Sequence, residues 1–347
     1  ALEILIHSLN KHNKFNPFGK IAFNHQLKSR LKVRRNLYNL HQENNFTDPA
    51  DPVFVIGLPR SGTTLLFNLL SLDKSHRSPL YWEIMHPFPM VKSSREKIKR
   101  EKKTNRELTL AKTLIPKLRG MHTIRACSPE ECEQIATINV KSFVYMCMAD
   151  VPEYVEYLKN CPFDSVFMWH KRFFQALEIN GRPKRWLLKD PSHIGHLPEI
   201  LKTYPKAKFI HIHRDPTEAV ASFCSLTKNI RSSFSKKVNT SDIGSTVIDF
   251  WKHNLNKGME DRKNLSSNQI VDINYQDFIA SPLNQVKSAY LQLGFDMTIE
   301  TENNIENYLS QDQTASKSTH QYSLKEFGLN EKNVRDEFRD YMLNYDF

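Results

Sequence analysis

Residues 52–70, PVFVIGLPRSGTTLLFNLL, constrain the fold of this chain more than any other segment. Residues 53–56 form a short apolar, β-branched run that predicts a buried strand, and the Gly-Leu-Pro that follows predicts a turn. Residues 61–64 then open an apolar periodic segment that predicts a helix. A strand, a tight loop and a helix N-terminus together present backbone N–H groups and a positive helix dipole, an arrangement that binds phosphate.

The loop departs from the usual phosphate-binding loop at one position. Gly57 and Gly62 have the expected spacing, but Thr63 stands where kinases and ATPases carry the Lys that reaches the β- and γ-phosphates. A different cation, Arg60, lies inside the loop. The segment therefore predicts phosphate binding without the machinery of phosphoryl transfer.

A second phosphate-binding pattern lies at residues 205–226, PKAKFIHIHRDPTEAVASFCSL. Residues 209–213 alternate as a strand does, and Asp215-Pro216 predicts a helix start. Arg214 ends the strand, and Ser222 lies eight residues later within the predicted helix. Arg binds a phosphate dianion through a charged, forked hydrogen bond, and Ser adds a neutral one. A surface ion pair of Arg214 with Asp215 or Glu218 is the structural alternative.

The two motifs, in this order, resemble those of sulfotransferases that use 3′-phosphoadenosine-5′-phosphosulfate (PAPS). GLPRSGTTLL resembles their 5′-phosphosulfate loop, and the PRSGTT form is similar to the tyrosylprotein and bacterial branches. Arg214 and Ser222 resemble the pair that holds the 3′-phosphate. The resemblance covers residues 50–330 and is sharp only at these two motifs. It implies a P-loop-like α/β fold.

The resemblance also implies the donor site. Tyr275 resembles the Tyr that contacts adenine, and residues 320–329, HQYSLKEFGL, resemble a segment that closes over the 3′-phosphate. The implied cofactor-binding residues are Arg60, Ser61, Gly62, Thr63, Thr64, Arg214, Ser222, Tyr275, His320 and Tyr322.

The implied reaction is in-line transfer of a sulfuryl group from PAPS to a hydroxyl or amine, with adenosine-3′,5′-bisphosphate (PAP) as the product. Such a transfer needs a cation at the leaving phosphate, which Arg60 supplies, and a base for the acceptor proton. We expect no metal, because a sulfuryl group carries less charge than a phosphoryl group and no metal-ligand spacing is evident. Lys189 ends a predicted strand and is expected near the sulfate.

Two residues compete for the role of catalytic base. His193, in WLLKDPSH, resembles the strand-end His of cytosolic sulfotransferases, although two extra residues separate it from Lys189. Glu83 follows PRSGTT at a distance similar to that of the catalytic Glu in the tyrosylprotein branch. Each has a structural alternative as a helix-capping residue. His193 ranks first because a neutral imidazole suits base work near pH 7, and Glu131 is a third, weaker choice.

Strands predicted at residues 53–56, 186–189, 209–213 and 270–274 are separated by helices, which predicts a parallel sheet with helices on both faces. We expect one domain over residues 1–347. It comprises an N-terminal helical segment (1–50), a helical insertion that forms the acceptor pocket (91–180) and a helical and loop tail (301–347). Helix starts are expected at residues 128–131 and at Pro152, and a helix over residues 169–179.

The net charge of +11 admits a nucleic-acid-binding protein, but it also suits an anionic donor, and a P-loop NTP-dependent kinase is the other enzyme alternative. The acceptor is expected to be a small, apolar molecule such as a lipid, terpenoid, polyketide or phenol, with a glycan or a protein Tyr as the alternatives. The sequence leaves open whether the sulfate is retained or used as a leaving group. Five Cys without a Cys-x-x-Cys pair favour a reducing compartment, hence the cytoplasm, with no membrane-spanning segment. Removal of an N-terminal anchor would instead place the chain in the lumen of the Golgi. The sequence leaves the oligomeric state open.

Overall fold

In the computed structural model of the chain, the structure describes residues 1–114, 124–312 and 323–347. The helices, in chain order, are α1 (Leu2–His12), α2 (Pro17–Glu43), α3 (Thr63–Leu70), α4 (Tyr81–Met85), α5 (Ser94–Leu114), α6 (Glu133–Ala136), α7 (Val144–Met148), α8 (Pro152–Asn160), α9 (Asp164–Leu177), α10 (Leu197–Thr203), α11 (Pro216–Phe234), α12 (Thr240–Asp261), α13 (Tyr275–Ala280), α14 (Pro282–Leu293), α15 (Ile299–Asp312), α16 (Glu331–Glu337) and α17 (Arg339–Asn344). Short 3-10 segments lie at Thr137–Asn139, Glu178–Asn180, Pro191–His196, Arg262–Asn264 and Leu324–Phe327.

One parallel sheet holds the described strands. They are β1 (Pro52–Ile56), β2 (His76–Arg77), β3 (Arg185–Lys189), β4 (Lys208–His213) and β5 (Ile270–Asn274). Their order across the sheet is β2-β3-β1-β4-β5, and every neighbouring pair is parallel. The predicted α/β class, with a parallel sheet flanked by helices, is confirmed. The sequence missed only β2, because two residues carry no periodicity.

The chain divides into two compact units. The first comprises Ala1–Ala50, Pro79–Arg182 and Leu226–Asn239, and the second comprises Asp51–Ser78, Pro183–Ser225 and Thr240–Phe347. The single domain that the sequence predicts stays a prediction.

The second unit is built on the sheet. All five residues of the central strand β1 are buried, as a parallel strand covered on both faces requires. Val53 and Val55 point to the face that packs with Leu66 and Phe67 of α3, and these residues share one apolar cluster with α14. Because successive side chains alternate, Phe54 belongs to the opposite face, where it stacks on Phe209 of β4 at 5.7 Å between ring centroids.

The first unit is helical, as predicted for residues 1–50 and for the described part of residues 91–180. Helix α2 begins where Asn16 accepts a 2.7 Å hydrogen bond from the Gly19 N–H, with Pro17 in the first turn. The buried Arg30 guanidinium donates to the carbonyls of Ile84 and Met85 at 3.0 and 2.8 Å. These two bonds attach the end of α4 to α2.

The structure differs from the predicted helix starts at two places. The start expected at residues 128–131 is wrong, since α6 begins at Glu133. The Tyr81 N–H donates to the Ser128 carbonyl, and the Glu130 N–H donates to that of Pro79, so this segment pairs with the chain before α4. Helix α9 begins at Asp164, five residues before its predicted start.

No helix in the described ranges combines the length and the apolarity that crossing a bilayer requires.

Candidate functional site

The candidate site lies at the point in the sheet where the strand order reverses. After β1, the chain continues to β2 and β3, which lie on one side of β1. It then crosses to β4 and β5, which lie on the other side. The carboxyl ends of β1 and β4 therefore meet at a switch point, where open α/β sheets bind ligands. The loop at residues 57–62 leaves β1 at this edge, and Arg214 directly follows β4.

The loop after β1 turns tightly through three residues with positive φ, at Gly57 (144°), Arg60 (70°) and Gly62 (93°). A Cβ on Gly57 would lie 2.4 Å from the Ile212 carbonyl oxygen, and one on Gly62 would lie 2.8 Å from the Tyr275 ring. Neither position can hold a side chain without displacing its neighbour. The buried Ser61 hydroxyl donates to the Leu58 carbonyl at 2.7 Å and closes the turn.

Helix α3 begins directly after this loop. Its N-cap is Gly62, which offers no side-chain acceptor to the first N–H groups of the helix, and these have no partner inside the helix. The Lys189 ammonium, almost fully buried, donates to the Thr64 hydroxyl at 3.0 Å. A cation thus lies beside a helix end that is itself positive. An anion placed there would be stabilised by both, so this end of α3 fits a phosphate or phosphosulfate group.

The two sequence motifs meet through Arg60 and Arg214. The Arg60 Nε donates to the Ser222 hydroxyl at 3.0 Å, and Arg214 Nη1 donates to the Arg60 carbonyl at 2.8 Å. Arg214 also lies over the Tyr275 ring, 4.1 Å from its centroid. The structure brings Arg60, Arg214, Ser222 and Tyr275 together at the switch point, and the sequence predicts all four as donor-binding residues.

Arg214 also makes the surface ion pair considered as its structural alternative. Its Nε and Nη2 donate to one Glu218 oxygen at 3.0 and 2.5 Å. Glu218 is one turn along α11, and its side chain is half exposed. An anion at Arg214 would therefore compete with a carboxylate that is readily replaced, because exposed pairs contribute little.

His193 lies in the 3-10 segment that follows β3. Its ring packs edge-on against Phe54 at 5.1 Å, and the residue is 4% exposed. The segment is held closely, because a Cβ on Gly195 would lie 2.3 Å from the Asn254 amide oxygen of α12. The structure therefore places His193 in the second unit, in the layer against the face of β1 that carries Phe54.

The remaining predicted residues fall elsewhere. Glu83 belongs to the first unit, where its buried carboxylate accepts the Leu80 N–H at 2.9 Å in the first turn of α4. Glu131 is half-buried in the same unit. His320 and Tyr322 lie outside the residues that the structure describes.

Sequence reasoning missed a polar network next to Arg214, in which His213 and Tyr341 are buried. It links His213 to Asp272 and Tyr341 by hydrogen bonds of 2.7 and 3.0 Å. The one signal in the sequence is the pair His211 and His213 in a strand that is otherwise apolar. A buried His needs a partner, but nothing local identifies it as a Tyr 128 residues away.

Comparisons with known proteins identify the family of the chain. Residues 52–299 match the sequence model of the Sulfotransferase family. The chain is 27% identical over 266 residues to omega-hydroxy-beta-dihydromenaquinone-9 sulfotransferase Stf3 of Mycobacterium bovis and of Mycobacterium tuberculosis. That match covers 73% of this chain and 64% of the relative, so the chain spans less than two thirds of the length of these curated relatives.

Solved structures match over almost the whole chain. Sulfotransferase STF1 from Mycobacterium tuberculosis H37Rv superposes with a TM-score of 0.83 at 27% identity, covering 98% of this chain and 91% of that one. Sulfotransferase STF9 from Mycobacterium avium also gives 0.83, at 24% identity, with 99% and 90% coverage, and it shows the shared fold alone. With 52–299 matched by the family's sequence model, the chain belongs to the sulfotransferase family.

Proposed function

We propose that this chain transfers a sulfuryl group from PAPS to a hydroxyl of a lipid-like small molecule. The observation that carries the proposal is the junction of the two phosphate motifs. Arg60 of the β1–α3 loop bonds Ser222 of α11, and Arg214 bonds the Arg60 carbonyl, at the switch point of a parallel sheet. A donor with phosphates on both the 5′ and 3′ positions of one nucleoside matches two adjoining anion sites.

Each motif holds one end of the donor in this proposal. The N–H groups of residues 61–64 and the Thr63 and Thr64 hydroxyls bind the 5′-phosphosulfate, with Gly62 leaving room for its approach. Arg214 and Ser222 bind the 3′-phosphate. Tyr275 offers its ring to adenine, and the proposal also assigns His320 and Tyr322 to binding of the 3′-phosphate. Lys189 contacts the sulfate in this proposal, which its hydrogen bond to Thr64 supports.

In the transfer itself, a bond forms between the acceptor oxygen and sulfur, and the bond from sulfur to the 5′-phosphate oxygen breaks. Arg60 stabilises the negative charge that the departing phosphate gains. The acceptor proton passes to a base, for which we propose His193 with Glu83 as the competing choice. No metal is assigned a role, because Arg60, Lys189 and the helix end supply positive charge.

For the acceptor we propose a hydroxylated lipid-like molecule, with its pocket supplied by the helical insertion at residues 91–180. Support comes from the apolar side chains of α7 and α9 and from the curated relatives, which are named for a dihydromenaquinone acceptor. We propose a cytoplasmic location. The kinase and nucleic-acid-binding alternatives are not favoured, since the family match and the missing loop Lys both oppose them.

The first prediction is that PAP binds without metal. Calorimetry in excess EDTA should give a micromolar or tighter dissociation constant, which corresponds to a binding free energy of roughly −8 kcal/mol. Arg214→Ala is the matched variant. It should weaken PAP binding by ~1.5–3 kcal/mol while leaving adenosine-5′-phosphosulfate, which lacks a 3′-phosphate, almost unchanged.

Folded protein that gives no heat with PAP would contradict the proposal, and equal loss of both ligands in Arg214→Ala would remove the 3′-phosphate role from Arg214. Turnover of radiolabelled PAPS against a panel of hydroxylated lipids, terpenoids, polyketides and phenols then identifies the acceptor class. Exclusive labelling of a protein Tyr would contradict the lipid-like acceptor.

A further inference from the structure

The end of strand β4 is fixed by a chain of hydrogen bonds through four side chains, Arg262, Asp272, His213 and Tyr341, called here the His213 network. His213 is 2% exposed, and its Nε2 lies 2.7 Å from an Asp272 oxygen while its Nδ1 lies 3.0 Å from the Tyr341 hydroxyl. All four residues belong to the second unit.

The charges in the network define the direction of its hydrogen bonds. Arg262 donates to both Asp272 oxygens at 2.8 and 2.6 Å. The bond from His213 and these two bonds hold the pKa of Asp272 well below its usual range, although partial desolvation opposes this shift. An ionised carboxylate can only accept, so His213 Nε2 carries the proton. Burial lowers the pKa of His213, so its ring is neutral and Nδ1 accepts from the Tyr341 hydroxyl.

Tyr341 acts on Arg214 through His213, the residue that directly precedes Arg214 in the chain. The Tyr341 hydroxyl donates to His213 Nδ1 at 3.0 Å and so helps to fix the end of β4 from which Arg214 leaves the sheet. The next strand is fixed in the same way, because His213 pairs with Asn274 in the sheet, and Tyr275 follows Asn274 as Arg214 follows His213. The stacked pair Arg214 and Tyr275 therefore leaves the sheet from two neighbouring residues that the network holds in register.

A metal ion is the other chemistry that this cluster could serve. The ligand atoms of His211, His213 and Asp272 lie within 4.8 Å of one another. However, Arg262 bonds both carboxylate oxygens and places another N–H group 3.1 Å from His211 Nδ1. A permanent cation already occupies the position of a metal, so the cluster is structural.

We propose that Tyr341 and His213 are positioning residues for Arg214, through which helix α17 sets the preference of this chain for a 3′-phosphorylated nucleotide. The inference rests on the proposed function, since it takes Arg214 as the 3′-phosphate ligand. Tyr341 touches no donor atom in this scheme. It acts by holding His213, the last residue of β4, after which Arg214 leaves the sheet.

The test is the ratio of the dissociation constants for adenosine-5′-monophosphate and for PAP, measured by calorimetry. Tyr341→Phe removes only the hydroxyl and should lower this ratio about threefold to tenfold, with the affinity for the monophosphate unchanged. Tyr345→Phe is the matched control. The Tyr345 ring, which this change keeps, stacks on His213 at 3.6 Å, and the hydroxyl that is removed contacts Arg262 and not the His213 ring nitrogen. This variant should keep the wild-type ratio.

The outcomes separate the inference from the function on which it rests. If the wild-type chain itself does not prefer PAP, the proposed function fails. If the wild-type chain prefers PAP and Tyr341→Phe keeps that preference, the inference fails. Should Tyr341→Phe not fold, Asp272→Asn replaces it, since the neutral amide weakens the bond that fixes the His213 tautomer. A folded Asp272→Asn chain with an unchanged ratio would then overturn the inference.

Discussion

At the scale of single residues, His193 and Glu83 differ in what their side chains already contact. Glu83 accepts the N–H of Leu80 at the start of α4, a contact typical of a capping residue. His193 packs edge-on against Phe54 in the same unit as the phosphate loop. A capping carboxylate can be exchanged for an amide that still accepts the same bond, so the two hypotheses can be tested with small structural disturbance.

We expect His193→Ala to lower turnover by ~10²–10⁴-fold while PAP affinity stays almost unchanged, because a base acts on the acceptor and not on the donor. Glu83→Gln, which keeps an oxygen for the Leu80 N–H, should remain active. Turnover and PAP calorimetry on both variants decide between them. Loss of turnover in Glu83→Gln, with His193→Ala active, would assign the base to Glu83.

At the scale of elements, the β1–α3 loop combines backbone strain with charge. Arg60 holds a left-handed backbone (φ 70°), which costs a non-glycine residue about 1–2 kcal/mol. A strained residue that carries a cation at the proposed leaving phosphate indicates that the loop is shaped for its ligand at some expense of stability. Gly62, two residues later, holds a positive φ without this cost.

Exchanging side chains at these two positions should therefore separate stability from activity. In Arg60→Gly, relief of strain offsets the greater freedom of the unfolded chain, so the free energy of unfolding should change by less than about 1 kcal/mol while turnover falls ~10²–10³-fold. Gly62→Ala should instead destabilise the protein by more than about 1 kcal/mol and abolish PAP binding, since its Cβ meets the Tyr275 ring. Urea unfolding and calorimetry measure both effects. A stable Gly62→Ala chain that binds PAP would contradict this account of the loop.

The elements that the sequence predicted are those with local signals. Strands β1, β3, β4 and β5 are short apolar runs bounded by turns, and the loop at residues 57–64 encodes its own geometry in two glycines. Strand β2 has two residues and no pattern. The segment at residues 128–131 carries a good helix-start signal, but pairing with residues 79–82 prevails over it.

The residues of the candidate site were likewise predictable only where the sequence carries a local signal. Arg214, Ser222 and Tyr275 were recognisable because each lies in a short segment that resembles a sulfotransferase motif. The ion pair with Glu218 was visible as an i, i+4 pair. Tyr341 was not, because its contact with His213 depends on how α17 packs on the sheet, and no spacing in the sequence records that.

At the scale of the whole molecule, both units carry buried histidines that stay neutral when folded. In the first unit, burial lowers the pKa of His170 to about 3, and its ring packs between Phe167 and Phe174 at 5.9 and 4.7 Å. In the second unit, burial first, then His213 and Arg262, hold the pKa of His211 well below its usual value. Each of these His side chains binds a proton near pH 6.5 in the unfolded chain, but not in the folded chain.

The sign of the pH dependence follows directly. Because the unfolded state binds more protons below pH 6.5, the stability that these residues contribute is fully present above that pH and is lost as the pH falls. As the pH falls below 6.5, each such His should lower the free energy of unfolding by about 1.4 kcal/mol per pH unit. This loss ends when the pH reaches the pKa of that His in the folded chain. Urea unfolding at pH 7.5, 6.5 and 5.5 should show this decline.

His170→Phe tests the prediction and the domain organisation together. Phe fills a site already lined by aromatic rings and does not titrate. In the variant, the slope of the unfolding free energy against pH should therefore decrease by the equivalent of about one proton, while the contribution of His211 remains. If residues 1–347 fold as the single domain that the sequence predicts, one cooperative transition carries the change. If the units unfold separately, two transitions appear and only that of the first unit responds. An unaltered slope in every transition would mean that His170 is already protonated in the folded chain, against its burial among phenylalanines.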